Sequence, residues 1–218
     1  MIQQKVKDIK QSFRQMMDGA TAQSMRQKGL DYKLNWGATL PRLQAMAEEI
    51  KQSYASYSSD APQSSSPLYD LALALWKENV RECKILATML MPPDEILPEV
   101  VDIWMEQTTT VEIAEQAAFN LYQHLPFAAE KAFLWIASPD DLAQITGYHV
   151  LSRLFCRRQE PNERGINEFI DQALAALQAD SPILRKAAMQ SIIHFAAMGL
   201  MYERIARSAI HTINLDFL

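Results

Sequence analysis

The feature that most constrains this chain is a succession of short helical stripes, repeatedly opened by a serine followed by proline. In "GINEFIDQALAALQ" the residues Ile166, Phe169, Ile170, Ala173, Leu174 and Leu177 follow i, i+3, i+4, i+7, i+8, i+11. That spacing lines one face of an α-helix with apolar side chains. In "ILRKAAMQSIIHFA" the stripe is Leu184, Ala187, Ala188, Ser191, Ile192 and Phe195. No segment alternates as a half-buried strand does. Ser66-Pro67, Ser138-Pro139 and Ser181-Pro182 each offer an N-cap hydroxyl ahead of a proline at the first helical position. The hydroxyl accepts from an orphan backbone N–H, and proline lacks a donor where none is needed. Pro92-Pro93-Asp94 and Leu125-Pro126 mark further boundaries. With 6 glycines in 218 residues, turns and bulges of a sheet protein are poorly supplied, which again favours helices on short loops.

A string of such helices suits antiparallel pairs stacked as a solenoid, each burying its apolar face on the next. No clean sequence repeat is present, so a compact irregular bundle is the alternative arrangement. The segment "SYASYSSDAPQSSSP", Ser53 to Pro67, is the one low-complexity stretch and reads as a flexible loop. It is too short to separate domains, so a single domain over 1–218 is expected. "LALALWKENVRECKILATMLM", Leu71 to Met91, reads as one buried helix, kinked if anywhere near Asn79. Its apolar stripe is Leu73, Trp76, Val80, Cys83, Ala87 and Leu90, which makes Trp76 a core residue.

Charge is distributed unevenly. Residues 1–51 hold 9 basic and 5 acidic side chains, whereas residues 91–146 hold 1 basic and 10 acidic, within a formal net charge of −5. Duplex-DNA binders ordinarily carry a basic surplus, since neutralising phosphates supplies most of their non-specific affinity. On charge alone DNA is disfavoured. No apolar run approaches the roughly 18 residues a membrane span requires, and the amphipathic start "MIQQKVKDIKQSF" lacks the apolar block of a signal peptide. Cys83 and Cys156 lie far apart within helical patterns and read as buried, reduced thiols of a cytoplasmic protein. His124, His149, His194 and His211 have no ligand spacing, and neither a phosphate loop nor a nucleophile elbow occurs, so neither metal nor cofactor is expected. His194, beside the Ile192–Phe195 stripe, reads as a satisfied buried edge rather than a ligand.

Four segments together resemble one family. "YKLNWGATLPRLQAMAEEIK" carries a Gly-x-x-x-Pro turn opening a helix with an arginine, at Gly37, Pro41 and Arg42. "LALALWKENVRECKILATMLM" carries Leu75, Trp76, Arg81, Glu82 and Ala87 in order. "EKAFLWIASPDDLAQITGYHVLSRLF" carries Lys131, Trp135 and Ser138, and "ILRKAAMQSIIHFA" follows as the next repeat. In order and spacing these resemble AlkD-like DNA alkylation repair proteins of the HEAT-like repeat DNA glycosylase superfamily, over nearly the whole chain from Tyr32. The resemblance implies an all-α, HEAT-like helical-repeat solenoid that binds double-stranded DNA on a concave face. It also implies, in enzymatic members, excision of N3- and N7-alkylated purines. Such a base departs neutral, so the protein has to supply a carboxylate for the developing oxocarbenium ion and aromatic faces for the cationic lesion.

The family's motif for that task is Trp-Trp-Asp-x-x-Asp, and the matching stretch here is Gln107-Thr108-Thr109-Thr110-Val111-Glu112. Both tryptophans are absent, and the last aspartate becomes Glu112 or, with a shifted gap, Glu115. A further aromatic of the family matches Gln190, and its arginine matches Ile145. Glu112 is therefore a catalytic candidate with a competitor: Thr109-x-x-Glu112 also fits a capping box in which Thr109 caps the helix. A glutamate reaches one methylene further than an aspartate, and a displacement of about 1 Å costs on the order of 100-fold in rate. Arg153 and Arg157, at i and i+4, with Arg158, Arg185 and Lys186 form the candidate phosphate-binding ridge. A solvated edge paired with Glu160, Glu163 and Glu168 is the competing reading. The expectation is a divergent DNA-binding member with weak or lost glycosylase activity; the alternative is a helical-repeat scaffold for a protein partner.

Overall fold

A computed structural model describes residues 2–30, 32–55 and 66–218. Among the described residues there are helices and turns but no strand, and none of the helices is long and apolar enough to cross a membrane. They fall into two compact units, Met1–Leu121 and Tyr122–Leu218.

The first unit contains α1 (Ile2–Gln15), α2 (Gly19–Gln27), α3 (Leu40–Ala55), α4 (Pro67–Trp76), α5 (Arg81–Leu90), α6 (Pro98–Glu106) and α7 (Val111–Asn120). α5 is its centre, packed against α3, α4 and α7. The order of α5 follows from its composition: nine of its ten residues, Arg81 and Glu82 included, are buried. α1 docks on α4 through Val6, Ile9 and Phe13. Trp76 and Trp104 stack with centroids 4.1 Å apart and planes within 4°, each 2% exposed, as the core assignment of Trp76 requires.

The stretch from Leu71 to Met91 is two helices rather than one. α4 ends at Trp76, and Val80 in extended conformation precedes α5. Asn79 is a poor helix former, and the break lets α5 fold back beside α4, so that Lys84 Nζ reaches the Trp76 carbonyl at 3.1 Å. Ser66 caps α4 as expected, accepting from Tyr69 N–H at 3.3 Å. Of the stretch Ser53–Pro67 expected as a loop, α3 takes in Ser53 to Ala55 and α4 begins at Pro67; residues 56–65 lie outside the described residues.

The second unit opens with a 3-10 turn (Tyr122–His124), followed by α8 (Ala128–Ile136), α9 (Asp141–Cys156), α10 (Glu163–Leu177), α11 (Pro182–Ala196) and α12 (Leu200–His211). α9 packs between α8 and α11, and α11 also contacts α10 and α12. Gly147 permits the close approach of α8 and α9, since a Cβ there would lie 2.8 Å from the Ala132 carbonyl and from Ile136 Cγ2. Phe155, Phe169, Phe195 and Tyr202 join α9 to α12 through tilted and edge-on ring contacts of 5.0–5.3 Å. Ser181 caps α11, accepting from Leu184 N–H at 3.3 Å. Ser138 does not cap α9. Asp140 does, accepting from Ala143 N–H at 2.8 Å, while Ser138 accepts from Asp140 N–H; a carboxylate two residues further on satisfies the first turn more strongly.

Candidate nucleic-acid interface and polar core

The polar core of the first unit is built on Arg81 and Glu82, side chains 1% and 0% exposed. Glu82 Oε1 accepts from three consecutive backbone N–H groups, of Trp36 at 3.1 Å, Gly37 at 3.0 Å and Ala38 at 3.2 Å. Gly37 supplies the left-handed conformation (φ 77°) that curls those amides around one oxygen. A Cβ there would meet the Asp18 carbonyl at 2.2 Å. Arg81 Nη1 donates to the Ala38 carbonyl at 2.8 Å, so the pair fixes both donors and acceptors of one turn.

The rest of the Arg81 guanidinium goes to Glu112. Nη2 donates to Oε1 at 2.6 Å and Nε to Oε2 at 2.8 Å, a bidentate fork. Tyr32 Oη donates to the same Oε2 at 2.5 Å and accepts from Thr110 Oγ1 at 3.0 Å. The Glu112 side chain is left 14% exposed. Burial, then the hydrogen bond to Glu112, holds the Tyr32 phenol far above its ordinary range. Burial pulls the Arg81 guanidinium down, but the Glu112 hydrogen bond and charge more than offset it, leaving it above its ordinary value. Both partners therefore stay protonated toward the carboxylate.

The capping box is not formed. Thr110, rather than Thr109, is the N-cap of α7, accepting from Ile113 N–H at 3.4 Å. Glu112 thus sits one position too early to reach the N-cap amide, and the buried guanidinium is the stronger partner. Glu115, one turn on, is exposed. Gln107, at the first position matched to the family's tryptophans, accepts from Trp76 Nε1 at 2.8 Å. Thr108 is buried and donates to the Trp104 carbonyl at 2.8 Å. Lys84 Nζ lies 4.2 Å above the Trp76 ring, and burial lowers its pKa. The stacked indoles are enclosed and offer no face to a base.

In the second unit Arg153, Arg157, Arg158, Arg185 and Lys186 are all exposed. Arg157 turns toward the 3-10 turn: Nη2 donates to the Gln123 carbonyl, and Nη1 lies 3.5 Å from His124 Nδ1. Arg158 takes a left-handed conformation (φ 57°), and its amide closes α9 by donating to the Phe155 carbonyl at 2.8 Å. Arg185 Nη1 donates to the Ala179 and Asp180 carbonyls at 2.6 and 3.0 Å. Among the described residues, Arg157, Arg158, Arg185 and Lys186 have no carboxylate partner. The expected pairing with Glu160, Glu163 and Glu168 is absent for these four. Cys156, expected to be buried, is exposed beside them, because it falls on the outer face of the last turn of α9. Cys83 is buried, and burial pushes its thiol up to about 12.

Between α9 and α11, Ser152 Oγ lies 2.5 Å from His194 Nδ1, and the Gln190 side-chain nitrogen lies 3.1 Å from His194 Nε2. Burial, then the charge of Arg153, keeps the His194 imidazole below its ordinary pKa. Burial, then Arg157, does the same to His124. No local pattern signals the Ser152–His194 contact, since 42 residues separate the two. The Arg81-Glu82 pair does carry a signal: two adjacent opposite charges in a ten-residue helix that is apolar but for Lys84 and Thr88 imply a buried, paired site.

Comparison with known proteins agrees with this architecture. A family model described as DNA alkylation repair enzyme matches residues 9–189. A solved structure described as "A new family of proteins related to the HEAT-like repeat DNA glycosylases with affinity for branched DNA structures" superposes with a TM-score of 0.77 at 14% identity. It covers 95% of this chain and 82% of that one. No curated protein matches the chain. The fold is thus HEAT-like and all-α, and with the family model running from the first helix into α11, the chain belongs to the DNA alkylation repair enzyme family.

Proposed function

We propose that this protein is a DNA-binding member of its family in which alkylpurine excision is weak or lost. The observation that carries the reading is the state of Glu112. Both of its oxygens are bound by Arg81, and one also by Tyr32. Stabilising an oxocarbenium ion requires a carboxylate whose charge is aimed at the sugar, and here that charge is already matched by a guanidinium. Glu115 is exposed and stands a turn further along α7. Gln107 and Thr108 replace the aromatic walls, removing cation stacking worth roughly 0.5–2 kcal/mol per ring.

Double-stranded DNA is the proposed partner, contacted through Arg153, Arg157, Arg158, Arg185 and Lys186. Four of these, Arg157, Arg158, Arg185 and Lys186, have no carboxylate partner among the described residues, and such cations release counterions when they meet phosphates, which supplies sequence-independent affinity. The affinity for branched DNA described for the structural relative supports the same ligand class. A fluorescence-anisotropy titration with duplex and junction DNA at two salt concentrations tests it. Binding that weakens steeply with salt supports the reading, and no binding at low salt contradicts it. Residues 1–218 are proposed to act as one domain, for which a single cooperative melting transition is expected.

A second reading, a scaffold for a protein partner, draws on the acid-rich stretch 91–146 with its 10 acidic and 1 basic side chains. It predicts equal, negligible affinity for both DNAs.

A further inference from the structure

Gln190, which the resemblance matches to an aromatic residue, lies on α11. Its carboxamide is exposed, yet one end is held: the nitrogen is 3.1 Å from His194 Nε2, and His194 Nδ1 is 2.5 Å from Ser152 Oγ. Ser152 is 4% exposed and fixed on α9, which packs along α11. The chain of contacts therefore runs from a buried anchor to an exposed amide.

Its polarity follows from proton inventory. An amide nitrogen is a donor only, so Nε2 of His194 accepts and Nδ1–H donates to Ser152 Oγ. Burial and the neighbouring Arg153 favour the neutral imidazole that this requires. One amide hydrogen of Gln190 is used, and the carbonyl oxygen and the second hydrogen remain for a ligand. A free glutamine loses up to about 2 kcal/mol of rotamer freedom when fixed; here the ordering is already made.

An acceptor beside a donor, at fixed spacing, matches the N6–H and N7 pair that adenine presents in the major groove. Resting on the DNA-binding reading above, we propose that Gln190 reads the Hoogsteen edge of adenine, with His194 and Ser152 as its positioning residues. A phosphate-binding strip alone is indifferent to sequence. Exposed Lys186, one turn before Gln190 on α11, supplies a cation for the backbone of the same DNA.

The test uses two DNAs of identical sequence, one with every adenine replaced by 7-deazaadenine, which removes the N7 acceptor while keeping charge and pairing. The full-length wild-type protein is expected to bind the unmodified DNA on the order of 10-fold more tightly. Gln190→Ala, an exposed substitution, is expected to bind both equally, at about the wild-type affinity for the deaza DNA. His194→Ala, checked for folding by its circular-dichroism melt, is expected to lower the ratio between the two DNAs, which a merely structural role leaves unchanged. Equal wild-type affinity for both DNAs overturns the inference while leaving the DNA reading intact, as does a preference that persists in Gln190→Ala. No binding to either overturns both.

Discussion

Arg81 shows how one buried residue decides the use of another. It is 1% exposed and serves Glu112, the Ala38 carbonyl and Glu82 at once. Removing one member of a buried pair leaves a charge without compensation, which costs more than the pair contributes. Arg81→Met is expected to destabilise by about 3 kcal/mol, a fall in Tm of roughly 6–12 °C for a chain of this size, measured by differential scanning calorimetry. A fall under about 2 °C contradicts the arrangement. The histidines set a pH dependence of known sign. His124 and His194 both have folded pKa values below the ordinary 6.5, so the unfolded chain binds more protons as pH drops. The stability they contribute is fully present well above 6.5, is lost as pH falls from there through the folded values, and then levels. Urea midpoints at pH 7.5 and 5.0 check this, with His194→Gln expected to flatten the decline. A midpoint that rises on acidification of the wild type while falling in the variant contradicts it.

At the scale of elements, two glycines mark where helices and turns approach closely. Gly147→Ala forces a Cβ against the α8 backbone at 2.8 Å, an overpacking expected to cost about 1–3 kcal/mol. Gly37→Ala meets both a positive φ and a carbonyl at 2.2 Å, so it is expected to cost more. Denaturant titration of both variants orders them, and a neutral Gly37→Ala contradicts the nest around Glu82. The helices themselves were legible: the stripes of residues 166–177 and 184–195 fall within α10 and α11, and Ser66 and Ser181 cap where their hydroxyls allow. Legibility failed where neighbours along the chain do not decide. The α4–α5 break depends on α5 folding back onto α4, since the apolar stripe runs on through Asn79. Thr109 and Thr110 are equivalent as cap residues until the partner of Glu112 is known. That partner, Arg81, lies 31 residues away, and Tyr32 lies 80 away.

For the whole molecule, family membership and fold follow from a pattern distributed along the chain, whereas function turns on a few side chains within it. Four segments in order pointed to the family, and the matching model spans 9–189. The candidate site was half legible. The non-aromatic residues at 107, 108 and 190, which the resemblance matches to aromatics, could be read directly, and so could the basic cluster around α9. The engagement of Glu112 could not, because its meaning depends on an ion pair between distant segments. We propose that this carboxylate is a counter-ion rather than a catalyst. Single-turnover release of 7-methylguanine from duplex DNA, with protein in excess over DNA, tests that most directly. The expected result is DNA bound without base release above the spontaneous rate, by the wild type and by Glu112→Gln alike. Rapid release by the wild type that disappears in a folded Glu112→Gln would contradict it.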